Sequence, residues 1–210
     1  MKGLVVTGIG TGIGKTLVSS IFVQALDADY WKPIQAGSLD ASDSDRVLSL
    51  VTARKGRIHP ERYRLKEPRS PHAAARSEHI QIAIPSMAPP QTAHPLIIEG
   101  AGGILVPLNE NELMVHFFAW LGYPVVLVSQ HYLGSINHTL LSAEVLKSRK
   151  IPVLGIVFNG NRDPETENAI LRHTALPLLL NVLDEVGWGA ATTLKYARLL
   201  ETALKKHELV

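Results

Sequence analysis

Six short apolar runs, separated by helix-like segments, constrain the fold more than any other feature. They lie at 4–8 (LVVTG), 30–34 (YWKPI), 95–100 (PLIIEG), 124–129 (PVVLVS), 152–159 (PVLGIVFN) and 177–182 (PLLLNV). Most are near-continuous rather than alternating. A strand with one wet face alternates; a strand covered on both faces need not, and such strands build parallel sheets. Helical patterns fill the gaps near 14–26, 43–53, 111–121, 135–149, 164–173 and 190–206. The alternation predicts one doubly wound α/β domain over 1–210, mostly parallel, with helices on both faces. Its ligands should sit at the carboxyl ends of the strands. Residues 82–95 carry four prolines, so a long helix cannot run through them and an irregular connection is expected.

Composition removes several function classes. With 21 Lys and Arg against 19 Asp and Glu, the net charge of +2 gives no footprint for nucleic acid. The absence of Cys excludes disulfides, thiolate metal sites and a Cys nucleophile. No apolar run approaches a membrane span, and MKGLVVTG enters a strand directly instead of reading as a signal peptide. A cytoplasmic protein is expected.

The first run leads into VTGIGTGIGKT, residues 6–16. The usual phosphate loop, G-x-x-x-x-G-K-[ST], needs Gly at position 9, where this chain has Ile9; Gly8 is one residue too far. The dinucleotide pattern G-x-G-x-x-G fails as well, because Ile13 and Lys15 stand where its third Gly belongs. What remains is a phosphate loop lengthened by one residue. Its backbone N–H groups and the helix N-terminus suit a triphosphate. Lys15 can reach the terminal phosphates and the Thr16 hydroxyl can hold Mg²⁺.

Other polar residues sit at strand ends. Glu99 precedes Gly100-Ala101-Gly102-Gly103 and suits either Mg²⁺ or a cap for that loop. Lys32, in YWKPIQAG, brings a second cation. Asp40, Asp43 and Asp45 lie in SLDASDSDR, ahead of a helical stretch, where an N-cap cluster is the plain reading, above all for Asp43. The turn Gly134-Ser135, in HYLGSINH, presents N–H groups suited to an anion. His131 and His138 lack a third ligand nearby and do not make a metal site. Asn159, in VFNG, suits either a base edge or a turn.

In order, these pieces resemble the dethiobiotin synthetase family: the lengthened loop, KPIQAG, SDSD, EPRSPHAAA, EGAGG, LGSINH and a strand ending in Asn. The resemblance is collinear over nearly the whole chain. It implies a P-loop NTPase-like fold with a variant Walker A loop, and typically a homodimer. It implies an ATP-dependent ligase of biotin biosynthesis that uses Mg²⁺. Such an enzyme joins CO₂ to 7,8-diaminononanoate through a carbamate and a carbamic-phosphoric mixed anhydride. Carried onto this chain, Lys15 and Lys32 stabilise charge on the phosphoryl group and carbamate, and Thr11 lies close to the carbamate. Thr16, Asp45 and Glu99 hold Mg²⁺. Gly12, Ile13, Gly14, Lys15, Thr16 and Leu17 wrap the triphosphate, with Gly100, Ala101 and Gly102 beside the nucleotide. Asn159 reads adenine, next to Gly160. Leu133, Gly134 and Ser135 bind the substrate carboxylate, Ala36 touches the substrate through its backbone, and Asn137 shapes the site at the dimer interface.

The chain departs from the family where acidic loop residues are replaced by Gly10 and Gly12, a hydroxyl by Ala36, a Lys by Tyr132 and an Asp by Gly160. A Gly-x-Ile-Pro segment is replaced by Leu180-Asn181-Val182-Leu183. Two other classes share the ATP domain. A partner- or membrane-directed switch ATPase carries an early second Lys in its loop, and residues 7–14 contain none. A glutamine-dependent amidotransferase needs a Cys that this chain lacks.

Overall fold

The computed structural model describes residues 2–52 and 57–209, so the predicted helix end at 53 and the outermost residues of the 1–210 domain lie outside it. The strands are β1 (Gly3–Gly8), β2 (Asp29–Trp31), β3 (Ile34–Ala36), β4 (Ile58–His59), β5 (Tyr63–Leu65), β6 (Leu96–Glu99), β7 (Val125–Gln130), β8 (Val153–Asn159) and β9 (Leu178–Val182). The helices are α1 (Lys15–Leu26), α2 (Asp43–Leu50), α3 (Pro71–Ser77), α4 (Met114–Leu121), α5 (Ser135–Ser148), α6 (Pro164–Thr174) and α7 (Ala190–Lys206).

Seven strands form one sheet in the order β4-β2-β6-β1-β7-β8-β9, and every pairing is parallel. The near-continuous apolar runs follow from this. Along β1, Leu4 and Val6 enter one apolar layer and Val5 the other. On one face, Val18, Ile21 and Phe22 of α1, Val47 of α2 and Tyr196, Ala197, Leu200 and Leu204 of α7 are buried. On the other face lie Ala74 of α3, Phe117 and Phe118 of α4, Leu146 of α5 and Ile170 of α6. The terminal helix is therefore a packed element, its apolar stripe spent on α1. No helix among the described residues is long and apolar enough to cross a membrane.

Strand β1 lies between β6 and β7, so the chain winds outward from it in both directions. The carboxyl end of β1 is the crevice of such a sheet, and the glycine-rich loop begins there.

The run 30–34 does not form one strand. Pro33 has no N–H to give a ladder, and β2 stops at Trp31. The Pro33 carbonyl instead accepts from the N–H groups of Arg62 and Tyr63, both at 2.9 Å. The chain then starts a separate two-stranded sheet in which β3 pairs with β5. Lys32 thus sits on a break between two sheets, where its backbone owes nothing to either ladder. The helix expected from 111 begins at Met114, because Asn109 Oδ1 accepts from Asn111 N and Glu112 N and holds those residues in a turn. Short elements such as α3, β4 and β5 give too little periodicity to read.

The proline-rich connection is irregular apart from one 3-10 turn at Ile84–Ser86. Ile82, Ile84 and Met87 anchor it in the core. Thr92 Oγ1 ties its end to Asp29 at 2.6 Å. Asp29 is 4% exposed and also receives Arg57 Nε at 2.8 Å and His59 Nε2 at 3.0 Å. Burial would raise this carboxyl, but Thr92, Arg57 and His59 outweigh it and hold Asp29 below the ordinary value. A depressed carboxyl contributes stability above its unfolded pKa, about 4, and loses it as pH falls through the lower folded value. Asp29→Asn should therefore cost about 2–3 kcal/mol at pH 7. Thermal unfolding of the two proteins at pH 7 and again near pH 3 checks this: the gap should shrink in acid, and a constant gap contradicts it.

Candidate active site

The loop after β1 is held from below. Ile9 N donates to Val128 O at 3.1 Å, and Ile13, 3% exposed, folds back into the core against Gly8. Gly14 caps α1 with φ +89°. The first turn of α1 has no acidic residue and no side-chain cap, so its N–H groups and positive dipole end are left for an anion. A Cβ added at Gly10 or Gly12 would meet nothing within 4 Å, so this part of the loop is open. Gly14 is different: a Cβ there would lie 2.2 Å from Asn159 Nδ2. Asn159 reaches this point from the end of β8 and donates to Ile13 O at 3.1 Å. One amide hydrogen of Asn159 is thus committed to the loop backbone.

Lys15 Nζ donates to Gly10 O at 2.6 Å, closing the loop on itself. Burial pushes its ammonium down to about 8, against the pull of Glu99. A phosphate arriving at the loop would replace that carbonyl as the partner of Lys15.

Glu99 ends β6 at 1% exposure. Its Oε1 accepts from Thr16 Oγ1 at 2.8 Å and from Lys32 Nζ at 3.1 Å, and its Oε2 accepts from Tyr30 Oη at 2.8 Å. Lys32 also pairs with Asp43, the first residue of α2. Burial alone would lower the Lys32 ammonium; Glu99 and Asp43 outweigh it and hold Lys32 above the ordinary lysine value. Burial would raise the Asp43 carboxyl, and Lys32 and Thr16 hold it down. Gln35 Oε1 accepts from Asp43 N at 3.3 Å while Gln35 Nε2 donates to Gly37 O at 2.9 Å, tying the start of α2 to the turn after β3.

Lys15, Thr16, Lys32, Gln35, Asp43 and Glu99 line a cavity of about 710 Å³. Of the residues expected at the site, Thr11, Gly12, Gly14, Lys15, Thr16, Leu17, Lys32, Ala36, Glu99, Ala101, Gly102 and Asn159 line it. Ile13, Gly100 and Gly160 stand behind it: Ile13 is buried, Gly100 N donates to Val6 O at 3.0 Å and Gly160 N to Val182 O at 2.8 Å. Leu133, Gly134, Ser135 and Asn137 are not in its lining. They lie at the start of α5, where Leu133 is fully exposed and Ser135 buried, and Asn137 lines a separate apolar groove between α5 and α6.

Asp45, expected to hold Mg²⁺, is not in the cavity lining, and its carboxylate is engaged in capping α2. Ser42 Oγ accepts from Asp45 N at 3.2 Å, and Asp45 Oδ2 accepts from Ser42 N at 2.9 Å, a reciprocal capping box. Ser42 is thereby the cap residue with Asp45 as its partner one turn on, and Asp43, read as part of the cap cluster, faces the site. The spacing Ser-x-x-Asp was the signal that would have separated them. Tyr30, Gln35, Arg46 and Arg69 were not anticipated; Tyr30 reaches the Glu99 carboxylate, and the other three line the cavity. Gln35, Arg46 and Arg69 lie within the stretches KPIQAG, SLDASDSDR and EPRSPHAAA, but no spacing rule singles out them or Tyr30. The donor set around Glu99 is hard oxygen, one hydroxyl and two carboxylates, and fits Mg²⁺, which takes one or two carboxylates and completes its shell with phosphates and water. No group of three or more His, Cys, Asp or Glu among the described residues makes a metal cage alone.

A family model described as an AAA domain matches residues 2–186. The ATP-dependent dethiobiotin synthetase BioD of Cytophaga hutchinsonii is 51% identical over 186 residues, covering 88% of this chain and 90% of the relative. That of Paramagnetospirillum magneticum is 48% identical, covering 91% and 93%, and that of Christiangramia forsetii 45%, covering 93% and 94%. Among solved structures, the cell division ATPase MinD of Pyrococcus furiosus superposes with a TM-score of 0.56 at 16% identity, covering 96% of this chain and 99% of that one. A ParA family ATPase of Chlorobium tepidum gives 0.52 at 13%, covering 100% and 98%. At these identities the two structures speak for the fold alone.

Gly14→Ala combines a left-handed backbone with a collision against Asn159, each strain of the order of 1–3 kcal/mol. It should weaken ADP binding tenfold or more while leaving the protein folded. Titration calorimetry checks this, and an affinity within threefold of the parent contradicts it.

Proposed function

The chain belongs to the dethiobiotin synthetase family, and from that premise we propose how its own residues carry the reaction. It is an ATP-dependent cyclo-ligase that converts 7,8-diaminononanoate, CO₂ and ATP to dethiobiotin, ADP and phosphate. The observation that carries this reading at the residue level is the convergence of Lys32, Thr16, Asp43 and Glu99 at the mouth of the phosphate loop. The switch-ATPase alternative shares the fold, but relatives at 45–51% identity are synthetases.

In the first step one amine nitrogen of the diamine bonds to CO₂ and loses a proton, leaving a carbamate. A carbamate oxygen then attacks the terminal phosphorus of ATP and ADP leaves. The second amine attacks the carbonyl carbon of the mixed anhydride, phosphate departs and the five-membered urea closes. Phosphoryl transfer of this kind needs alignment and charge neutralisation more than covalent help from protein groups.

Residues Gly12 to Leu17 wrap the triphosphate with backbone N–H groups, and Lys15 leaves Gly10 O to meet the phosphates. Thr16, Asp43 and Glu99 would hold Mg²⁺, which would supply positive charge against the phosphates. Lys32, kept protonated by Glu99 and Asp43, stabilises charge on the carbamate and the transferred phosphoryl group, with Thr11 nearby. Gly100, Ala101 and Gly102 flank the nucleotide, and Asn159 presents its remaining amide groups to the base beside Gly160. The backbone at Ala36 borders the diamine.

In this reading the described chain is a single domain and works as a cytoplasmic homodimer. The turn Leu133–Ser135 and Asn137 of one subunit complete the diamine site of the other by receiving the substrate carboxylate. An uncapped α5 N-terminus outside the cavity and exposed Leu133, Ile136 and Leu141 support that arrangement.

The direct test is ATP- and diamine-dependent uptake of labelled bicarbonate into an acid-stable product; no uptake would refute the assignment. In the same assay Lys32→Ala should lower kcat about 10²–10³-fold with ADP affinity little changed, as when one charge-stabilising donor is lost; near-normal turnover removes Lys32 from this role. Sedimentation at micromolar concentration should give a dimer, and a monomer that is fully active contradicts the shared site.

A further inference from the structure

We propose that Tyr30 is a positioning residue for the metal: its buried phenol fixes one oxygen of Glu99 and leaves only the other to face Mg²⁺. The inference rests on the reading of Glu99 as a metal-holding residue given above.

The argument starts from strand alternation. On β2, Tyr30 belongs to the apolar layer beneath α1, and Trp31 to the opposite layer against Phe117. On β6, Ile97 lies in the same layer as Tyr30, and Tyr30 is its register partner. Glu99, two residues beyond Ile97, therefore projects to the α1 side, under Thr16. Tyr30 spans the offset with its ring and donates to Glu99 Oε2 at 2.8 Å. Lys32, two residues further along the chain, donates to Oε1 at 3.1 Å. The pair Tyr30-x-Lys32 thus grips both oxygens of one carboxylate from a neighbouring strand.

The two grips differ. Tyr30 is fully buried, and among the described residues its hydroxyl has no other hydrogen-bond partner. Thr16 shares Oε1 with Lys32 and lies at the cavity wall. Oε1 is reached by two residues that line the cavity, whereas Oε2 is reached by a phenol that does not, so Oε1 is the oxygen on the cavity side. Tyr30 thereby fixes the carboxylate with Oε1 turned to the cavity. The neutral donor also draws off part of the carboxylate charge, so Glu99 is held without adding a third cation beside Lys15 and Lys32. Hydrogen-bonded partners behind a metal ligand typically change metal affinity 10–100-fold when removed.

The test uses Tyr30→Phe, which deletes one hydroxyl, together with Glu99→Gln and the double variant. Mn²⁺ binding to the protein–ADP complex is followed by electron paramagnetic resonance, and ADP binding without metal is measured in EDTA. Tyr30→Phe should weaken Mn²⁺ about tenfold or more, leave metal-free ADP affinity within twofold, and have no further effect once Glu99 is Gln. Three results overturn the inference: unchanged Mn²⁺ affinity, a parallel loss of metal-free ADP binding, or a Tyr30→Phe protein that does not fold even with ADP present, each meaning that the phenol only packs. If Glu99→Gln itself leaves Mn²⁺ affinity unchanged, the underlying reading of Glu99 fails and the inference falls with it.

Discussion

A carboxylate with 1% exposure, in an apolar sheet, must be neutralised where it stands. That requirement organises the site of this protein. Glu99 is reached by Thr16 from α1, Tyr30 from β2 and Lys32 from the break after β2. Lys32 in turn needs more than one anion to stay charged at this depth, and Asp43 supplies the second from α2. Removing Lys32 leaves the buried Glu99 carboxylate with neutral donors alone. The arrangement is a chain of obligations that pulls four separate elements to one point, and that point is the mouth of the phosphate loop. The same low-dielectric setting makes each of these charges act more strongly on a phosphoryl group than it would in water.

The loop has the opposite character. Its outer turn is open and nearly all backbone, with glycines at 10 and 12 where an added Cβ would meet nothing within 4 Å. Its inner end is rigid, locked by Ile13 in the core and by Asn159 against Gly14. A rigid inner end keeps the helix dipole and Lys15 aimed, while the open outer turn leaves room for the triphosphate. Charge in this site therefore comes from Lys15 at the inner end of the loop and from Lys32, Asp43 and Glu99 on other elements, not from side chains of the outer turn.

The apolar runs and their helical gaps carried the fold legibly, because burial on both faces of a parallel sheet leaves a strong mark on each strand. Where the reading slipped, a local rule had competed with it. Pro33 ended β2 early, Asn109 delayed α4, and the Ser-x-x-Asp pattern claimed Asp45 for a helix cap. Elements of two or three residues, β4 and β5, lie below what periodicity can register.

The sequence by itself determined the parallel α/β architecture, the lengthened phosphate loop, Lys15 and Thr16 at the start of α1, and a carboxylate at the end of β6. These depend on spacing within one segment, which the chain carries wherever it goes. Only the tertiary structure decided that Asp43 and not Asp45 faces Lys32, that Tyr30 stands behind Glu99, and that residues 133–137 lie outside the cavity. Tyr30 and Glu99 are 69 residues apart, and Thr16 and Glu99 are 83 apart. Their meeting depends on β6 returning between β1 and β2. Strand order is a property of the whole packed sheet, and no local pattern of side chains encodes it.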